Sequence, residues 1–251
     1  MSGHIQFLDI DIFHNESFTM FNPKKVYLYV EGEYGFIPLI CGKSIEADGT
    51  EVATITSRYQ NIEAFNRLPK PNDIGWRITQ VTEDICFIAI TNWYPNSDGK
   101  GEPNADLWKN SYPMMYSLLR YLKMEGCEQV CTVTSMNILD AEQNPAINVH
   151  TSDNDWEGLF SDEDSYLALP AWAFPMLADK MGMQGKAIVA SQDEGQFIDI
   201  EALKKMTIYL QLSGLPWCDK EMEKTISTLM SVETELSSQG FDEDTSMGEF
   251  Q

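Results

Sequence analysis

The stretch from Trp172 to Leu236 constrains the fold more than any other part of the chain, because the period of its apolar residues changes along it. The pattern predicts a helix, a buried strand, a second helix, a tight turn and a third helix. Gly182 is expected to end the first helix, and the turn at 213–216 to end the second. This order of elements is typical of α/β proteins, in which helices cover a sheet.

Each predicted helix of this stretch has one apolar face. The first face comprises Phe174, Leu177, Ala178 and Met181, the second Ala202, Leu203, Met206 and Leu210, and the third Met222, Ile226, Leu229, Met230 and Leu236. Asp199 and Asp219 stand where the N-caps of the second and third helices belong. Residues 186–191 are short and apolar, as expected for a strand covered on both faces.

Upstream, predicted strands and helices alternate. Strands are predicted at 5–12, 26–30, 85–91, 129–136 and 145–151, with a hairpin turn at Asp48-Gly49 and exposed connections at 69–75, 96–104 and 152–165. A helix is expected to begin at Pro113 and end at Gly126, and no helix is expected at Phe36-Ile37-Pro38. The succession predicts crossover connections and a mainly parallel sheet with helices on both faces. We expect one α/β domain over residues 1–236 and a flexible acidic tail over 237–251.

The charge of the chain excludes several classes of partner. The sequence has 39 acidic and 17 basic residues, a formal net charge of −22. A field of that sign repels the phosphates of nucleic acids and anionic lipid head groups. The longest apolar runs are far short of the ~20 residues that a membrane span needs, and the N-terminus lacks the pattern of a signal peptide. We therefore expect a cytoplasmic protein that binds neither nucleic acid nor membrane.

The residues that carry chemistry indicate no enzyme. The five cysteines are Cys41, Cys86, Cys127, Cys131 and Cys218; they include no C-x-x-C pair and are expected to be reduced, buried thiols. None of the three histidines has a second metal ligand at i+3 or i+4 on a helix, and the sequence has no G-x-S-x-G motif. Gly42-Lys43-Ser44 looks like the end of a phosphate-binding loop, but Ile37 stands where the first glycine is needed and Pro38 has no amide. We expect no catalytic residue, no cofactor and no metal site.

Residues 172–236 resemble the C-terminal half of the PAC2 family, the proteins similar to proteasome assembly chaperone 2. The matching residues are Met181-Gly182-Met183-Gln184-Gly185, 187–191, Gly195, Asp199, Leu210, Leu212, Gly214-Leu215 and Asp219, with weaker agreement at 118–133 and 145–151. The resemblance implies a three-layer sandwich similar to that of phosphorylases and nucleosidases. It also implies a non-enzymatic assembly chaperone that self-associates as a homo-oligomer and binds the α subunits of the proteasome core particle. The alternative is a hydrolase or transferase acting on a nucleoside-type small molecule, which would require a deep pocket with convergent polar groups.

The last three residues, Glu249, Phe250 and Gln251, are the candidate partner-binding site. Archaeal members of the PAC2 group carry a flexible tail that ends in a hydrophobic residue, a tyrosine and any residue, and docks between proteasome α subunits. The resemblance implies that Phe250 supplies the aromatic ring without the hydroxyl, whereas Glu249 stands where an apolar residue is expected. The alternative is a terminus without function. The regions Trp93-Tyr94-Pro95 and Trp172-Ala173-Phe174 are either further contact surfaces or parts of the core.

Overall fold

The computed structural model describes residues 3–14, 23–30, 36–57, 76–90, 106–138, 147–151, 169–193 and 197–239. The strands are β1 (Gly3–Phe7), β2 (Ile10–His14), β3 (Lys25–Val30), β4 (Thr50–Ser57), β5 (Trp76–Gln80), β6 (Ile85–Ile90), β7 (Gln129–Ile138), β8 (Ile147–Thr151) and β9 (Gln184–Asp193). The helices are α1 (Ile37–Glu46), α2 (Asp106–Met124), α3 (Leu169–Lys180), α4 (Ile200–Leu212) and α5 (Asp219–Gln239). The predicted connections at 69–75, 96–104 and 152–165 lie outside the described residues.

The described strands form one mixed sheet in the order β1-β2-β4-β5-β6-β3-β7-β9-β8. Its centre is parallel, because β6, β3, β7 and β9 run in the same direction. The remaining neighbours pair antiparallel. The prediction of a mainly parallel sheet is therefore wrong outside the centre. Antiparallel neighbours need only a short turn, and β1 and β2 are joined by one at Leu8-Asp9.

Helices cover both faces of the sheet, as predicted. Successive residues of a strand point to opposite faces, so Val26 and Leu28 of β3 belong to one buried cluster while Tyr27 and Tyr29 belong to the other. The first cluster is closed by α2 and α3, and the second by α1 and α4, with apolar residues of α5 packed against it. The fold is thus an α/β arrangement of a mixed sheet between two helical layers.

The C-terminal stretch follows the predicted order of elements. Asp199 caps α4, because its Oδ1 accepts a hydrogen bond from the Ala202 amide at 2.9 Å. Gly182 and Gly214 have φ angles of +76° and +86°, which places both helix ends in the left-handed region that favours glycine. All four residues of the predicted apolar face of α4 are buried.

Two details of this stretch differ from the prediction. Asp219 is the first residue of α5 rather than its cap. Met222, Ile226 and Leu229 of α5 pack against the second cluster, whereas Met230 is exposed. The helix continues to Gln239, into the segment predicted as tail.

Helix α1 is the largest departure from the sequence prediction, which expected no helix after Phe36. Pro38 lies in its first turn, where a proline is tolerated because the amide has no partner within the helix. Gly42 lies in its middle against β3, and a Cβ atom at that position would stand 2.5 Å from Cε1 of Tyr29. A glycine weakens the local helical pattern, yet here it allows the helix to approach the sheet. Asp48-Gly49 consequently connects α1 to β4 instead of forming a hairpin.

Two other elements have bounds that differ from the predicted ones. Residues 5–12, predicted as one strand, belong to the two strands of a hairpin. Pro113 lies inside α2 rather than at its start, and its carbonyl accepts a hydrogen bond from the Ser117 hydroxyl at 2.7 Å. The predicted strands at 26–30, 85–91, 129–136 and 145–151 are confirmed as β3, β6, β7 and β8, and Gly126 takes a positive φ after α2.

Candidate partner-binding surface

The three residues predicted to bind a partner, Glu249, Phe250 and Gln251, lie outside the described residues. The same holds for Trp93-Tyr94-Pro95. The last described element before the tail is α5, which lies on the α1 side of the sheet.

Two residues of the second candidate contact region, Ala173 and Phe174, belong to the core. Ala173 and Phe174 are buried, and the ring of Phe174 meets that of Trp76 edge-on with centroids 5.8 Å apart. An aromatic pair of this geometry holds α3 on the sheet and is not available to a partner. Of the two alternatives for this region, the core is therefore confirmed for Ala173 and Phe174.

Gly42-Lys43-Ser44 also has a role in the core. The three residues lie within α1, and the hydroxyl of Ser44 is buried and donates to the carbonyl of Ile40 at 2.7 Å. Amides inside a helix are engaged with carbonyls of the preceding turn and cannot curl around a phosphate. The segment therefore has no phosphate-binding geometry.

The five cysteines are free thiols, and four of them are buried as predicted, whereas Cys218 is partly exposed. Burial raises the pKa of Cys86 and of Cys131 to about 12, and that of Cys127 to about 11. These thiols are therefore protonated at neutral pH and are poor nucleophiles. Within the part of the chain that the structure describes, no group of three or more His, Cys, Asp or Glu side chains could hold a metal ion.

A shallow groove lies on the outer surface of the layer that α2 and α3 form. Its volume is about 470 Å³, and its lining residues are Tyr116, Arg120, Lys123, Met124 and Met181. The guanidinium of Arg120 stands 5.8 Å from the centroid of the Tyr116 ring, and Nζ of Lys123 donates to the carbonyl of Met181. We call this site the α2 groove. It combines two held cations with an aromatic ring and two thioethers.

The α2 groove is electrostatically unusual for this chain. Its described lining contains two cations and no carboxylate, whereas the whole chain carries a net charge of −22. Glu125 directly follows the end of α2, and its charge acts on Tyr121 and on His14 of β2. The groove is therefore a place where an acidic segment can approach an otherwise repelling surface.

The β1–β2 hairpin adds apolar surface beside α2. Its turn residue Leu8 has a φ angle of +51° and 52% of its surface is exposed. The turn is fixed on α2, because the Asp9 amide donates to the hydroxyl of Ser117 at 3.3 Å. The ring of Phe7 lies 5.9 Å from that of Tyr121. The hairpin is thus attached to the same helix that forms the groove.

A second apolar surface runs along α4. Ile200, Ile208 and Leu212 are eight and four residues apart, so all three lie on the side of α4 away from its buried face. Leu212 is 84% exposed. We call these three residues the α4 stripe. A monomer gains nothing from exposed side chains of this size, and such surfaces are typical of contact sites.

Sequence reasoning missed both surfaces, because it followed the buried faces of the helices. The sequence did contain a signal for them on the faces of the helices that were not predicted to be buried. Tyr116 and Arg120 are separated by about one turn of α2, as are Ile208 and Leu212 of α4. That Met181 completes the groove could not be read from spacing, because it belongs to a different part of the chain.

No protein-family model matches the sequence, and no curated protein matches it. Solved structures do match. PbaB of Pyrococcus furiosus, described as an archaeal proteasome activator, matches with a TM-score of 0.61 and 12% identity, over 93% of this chain and 99% of that one. PbaA of the same organism, an archaeal homologue of proteasome-assembly chaperone, matches with a TM-score of 0.58 and 11% identity, over 94% and 99% of the two chains. A proteasome-assembly chaperone homologue of Mycobacterium tuberculosis matches with a TM-score of 0.52 and 10% identity, over 90% and 97%.

The chain has the proteasome-assembly-chaperone fold. The likeness covers 93% and 94% of this chain, so the fold includes its N-terminal third, for which the sequence resemblance offered no matching residues. The PAC2-like fold that residues 172–236 predicted is confirmed, including the helices on both faces. Among the described residues, no helix is both long enough and apolar enough to cross a membrane.

Proposed function

We propose that this protein is a non-enzymatic, assembly-chaperone-like protein that binds subunits of the proteasome core particle. The observation that carries the proposal is the near full-length likeness to PbaB and PbaA, which are described as a proteasome activator and as a homologue of proteasome-assembly chaperone. A fold alone does not determine function, and further support comes from the apolar surfaces at Leu8, Met124 and Leu212. The nucleoside-type enzyme has no support in these likenesses.

In this proposal, the C-terminal tail is the segment that binds the core particle. Glu249, Phe250 and Gln251 dock between α subunits of the core ring, with the Phe250 ring filling an apolar pocket. A tethered segment of this kind contributes affinity through local concentration as well as through its own contacts. The tail therefore acts as an anchor and the folded domain presents the remaining contact surface.

Deletion of residues 249–251 is expected to weaken binding to purified proteasome core particle roughly ten- to a hundredfold, because one buried aromatic side chain is worth ~1.5–3 kcal/mol. Surface plasmon resonance with immobilised core particle measures the change. Phe250→Ala should reproduce most of the loss, and Glu249→Leu should strengthen binding by restoring an apolar residue. Thermal stability should be the same for all of these proteins.

A matched control is Glu243→Leu, which makes the same exchange elsewhere in the tail and should leave affinity nearly unchanged. Equal affinities for the full-length, truncated and Phe250→Ala proteins would contradict the anchor. Any binding would then depend on the folded surface alone.

The proposal includes self-association as a homo-oligomer. Exposed apolar residues on α2, on α4 and at the hairpin turn supply surface that a monomer leaves in water. Multi-angle light scattering at tens of micromolar is expected to give a mass above the 28.5 kDa of one chain. A constant mass of one chain over the whole concentration range would remove this part of the proposal.

A further inference from the structure

The α2 groove and the C-terminal segment of the chain have complementary chemistry. Residues 240–251 contain Phe241, Met247 and Phe250 together with four carboxylates, at Asp242, Glu243, Asp244 and Glu249, and no basic residue. The groove offers an aromatic ring, two methionines and two cations. Acidic side chains are complementary to Arg120 and Lys123, and an aromatic side chain is complementary to Tyr116 and the thioethers.

The two cations are held in place before any ligand arrives. Arg120 lies over the Tyr116 ring, and Lys123 is hydrogen bonded to the carbonyl of Met181 at the end of α3. Both keep donors for a carboxylate, since a guanidinium has five N–H groups and an ammonium three. Holding them in advance reduces the side-chain entropy that binding costs.

The position of α5 determines whose segment can reach the groove. Gln239 ends a helix on the α1 side of the sheet, whereas the groove lies on the outside of the opposite helical layer. Helix–helix and helix–sheet spacings put these outer surfaces about 30 Å apart through the protein, and farther by any route around it. Residues 240–251 span at most ~40 Å when fully extended, so the chain's own segment would have little length left for the groove.

We propose that the α2 groove binds the acidic C-terminal segment, residues 240–251, of a second copy of this chain. This deepens the self-association proposed above and rests on it. The contact runs from the tail of one copy to the groove of the next, and the two surfaces are different parts of the chain. The groove of a second copy and the core particle then compete for the same tail, because a tail bound in the groove cannot bind the core particle at the same time.

The test uses the full-length protein and a fluorescein-labelled peptide of residues 240–251, followed by fluorescence anisotropy. We expect saturable binding that weakens as salt increases. Arg120→Glu should raise the dissociation constant at least about tenfold, because one ion pair is replaced by repulsion next to the ring contact. Lys220→Glu, the same charge reversal on an exposed residue of α5, is the matched control and should bind as the wild type does. A peptide with Phe250→Ala should bind about tenfold more weakly.

Sedimentation velocity of the same proteins identifies the source of the segment. If the groove binds the segment of a second copy, the mass should increase with concentration for the wild type and for Lys220→Glu. The increase should be smaller for Arg120→Glu. Absence of saturable peptide binding, or equal peptide affinities for Arg120→Glu and wild type, would overturn the proposal. A monomer at all concentrations that still binds the peptide would overturn the second copy as the occupant. Binding of the variants to the core particle reports the proposed function separately: Arg120→Glu should strengthen it, because a tail released from the groove is free to dock.

Discussion

Gly185→Ala is expected to lower the free energy of unfolding by about 3 kcal/mol or more, because it forces two backbone segments apart. A Cβ atom at position 185 would lie 1.9 Å from the carbonyl oxygen of Pro175 and 2.6 Å from its carbonyl carbon. Both atoms belong to the backbone of α3, which cannot turn aside as the end of a side chain can. The helix would have to lift from β9.

Lifting α3 breaks further contacts. Oδ1 of Asp179 accepts a hydrogen bond from the Gly185 amide at 2.6 Å, which ties the last turn of α3 to the start of β9. Phe174 would withdraw from Trp76 in the first buried cluster. Met181 would move as well, so the α2 groove should lose its shape together with the stability.

Urea unfolding followed by circular dichroism measures the effect. The matched control is Gly214→Ala, at a glycine with a φ of +86° and no atom within 4 Å of the added Cβ. In that variant the alanine must adopt the left-handed backbone conformation, which lowers the free energy of unfolding by about 1–2 kcal/mol. If both variants unfolded at the same urea concentration, the close approach of α3 to β9 would not be the cause.

Glu46→Ala is expected to destabilise the protein by about 2–4 kcal/mol, because it removes a largely buried carboxylate that accepts three hydrogen bonds. The Glu46 side chain is 8% exposed. Its Oε2 accepts hydrogen bonds from the Tyr29 hydroxyl at 2.9 Å and from Nη2 of Arg77 at 2.9 Å, and its Oε1 accepts one from the Thr79 hydroxyl at 2.8 Å. One carboxylate thus joins the end of α1 to β3 and to β5.

Glu46→Gln should lose less, because an amide oxygen retains one of the acceptors while the charge disappears. The control is Glu201→Ala on α4, whose exposed carboxylate pairs with Lys205 at 3.7 Å and should change stability by less than about 1 kcal/mol. The free energies come from chemical denaturation at neutral pH. Similar losses for Glu46→Ala and Glu201→Ala would show that the three hydrogen bonds add little to a surface ion pair.

The C-terminal half could be read from the sequence because its determinants are local. An N-cap such as Asp199 acts on an amide three residues away, and Gly182 and Gly214 stop helices through their own φ angles. The buried face of α4 follows from a period of 3.6 residues, which needs no knowledge of the partner. Where such local preferences and the tertiary fold agree, sequence reasoning succeeds.

The α1 helix and the outer strands could not be read in this way. Position 42 of α1 accommodates only glycine, because the Tyr29 ring of β3 occupies the space that a Cβ atom would need. This contact belongs to the tertiary structure and leaves no local pattern in the sequence. The antiparallel half of the sheet depends on which edges meet, since the same apolar strand satisfies a parallel or an antiparallel neighbour. Pairing partners are chosen by long-range contacts, which leave no period in the chain.

The sequence by itself determined the class of the fold, the order of the C-terminal elements and the acidic, aromatic composition of residues 240–251. Only the tertiary structure decided that Phe174 is core, that Glu46 joins three elements, and that Arg120 and Lys123 meet Met181 in one groove. The reason is physical. Capping, periodicity and net charge act within a few residues or sum over all of them, whereas a binding surface arises where separate elements pack together.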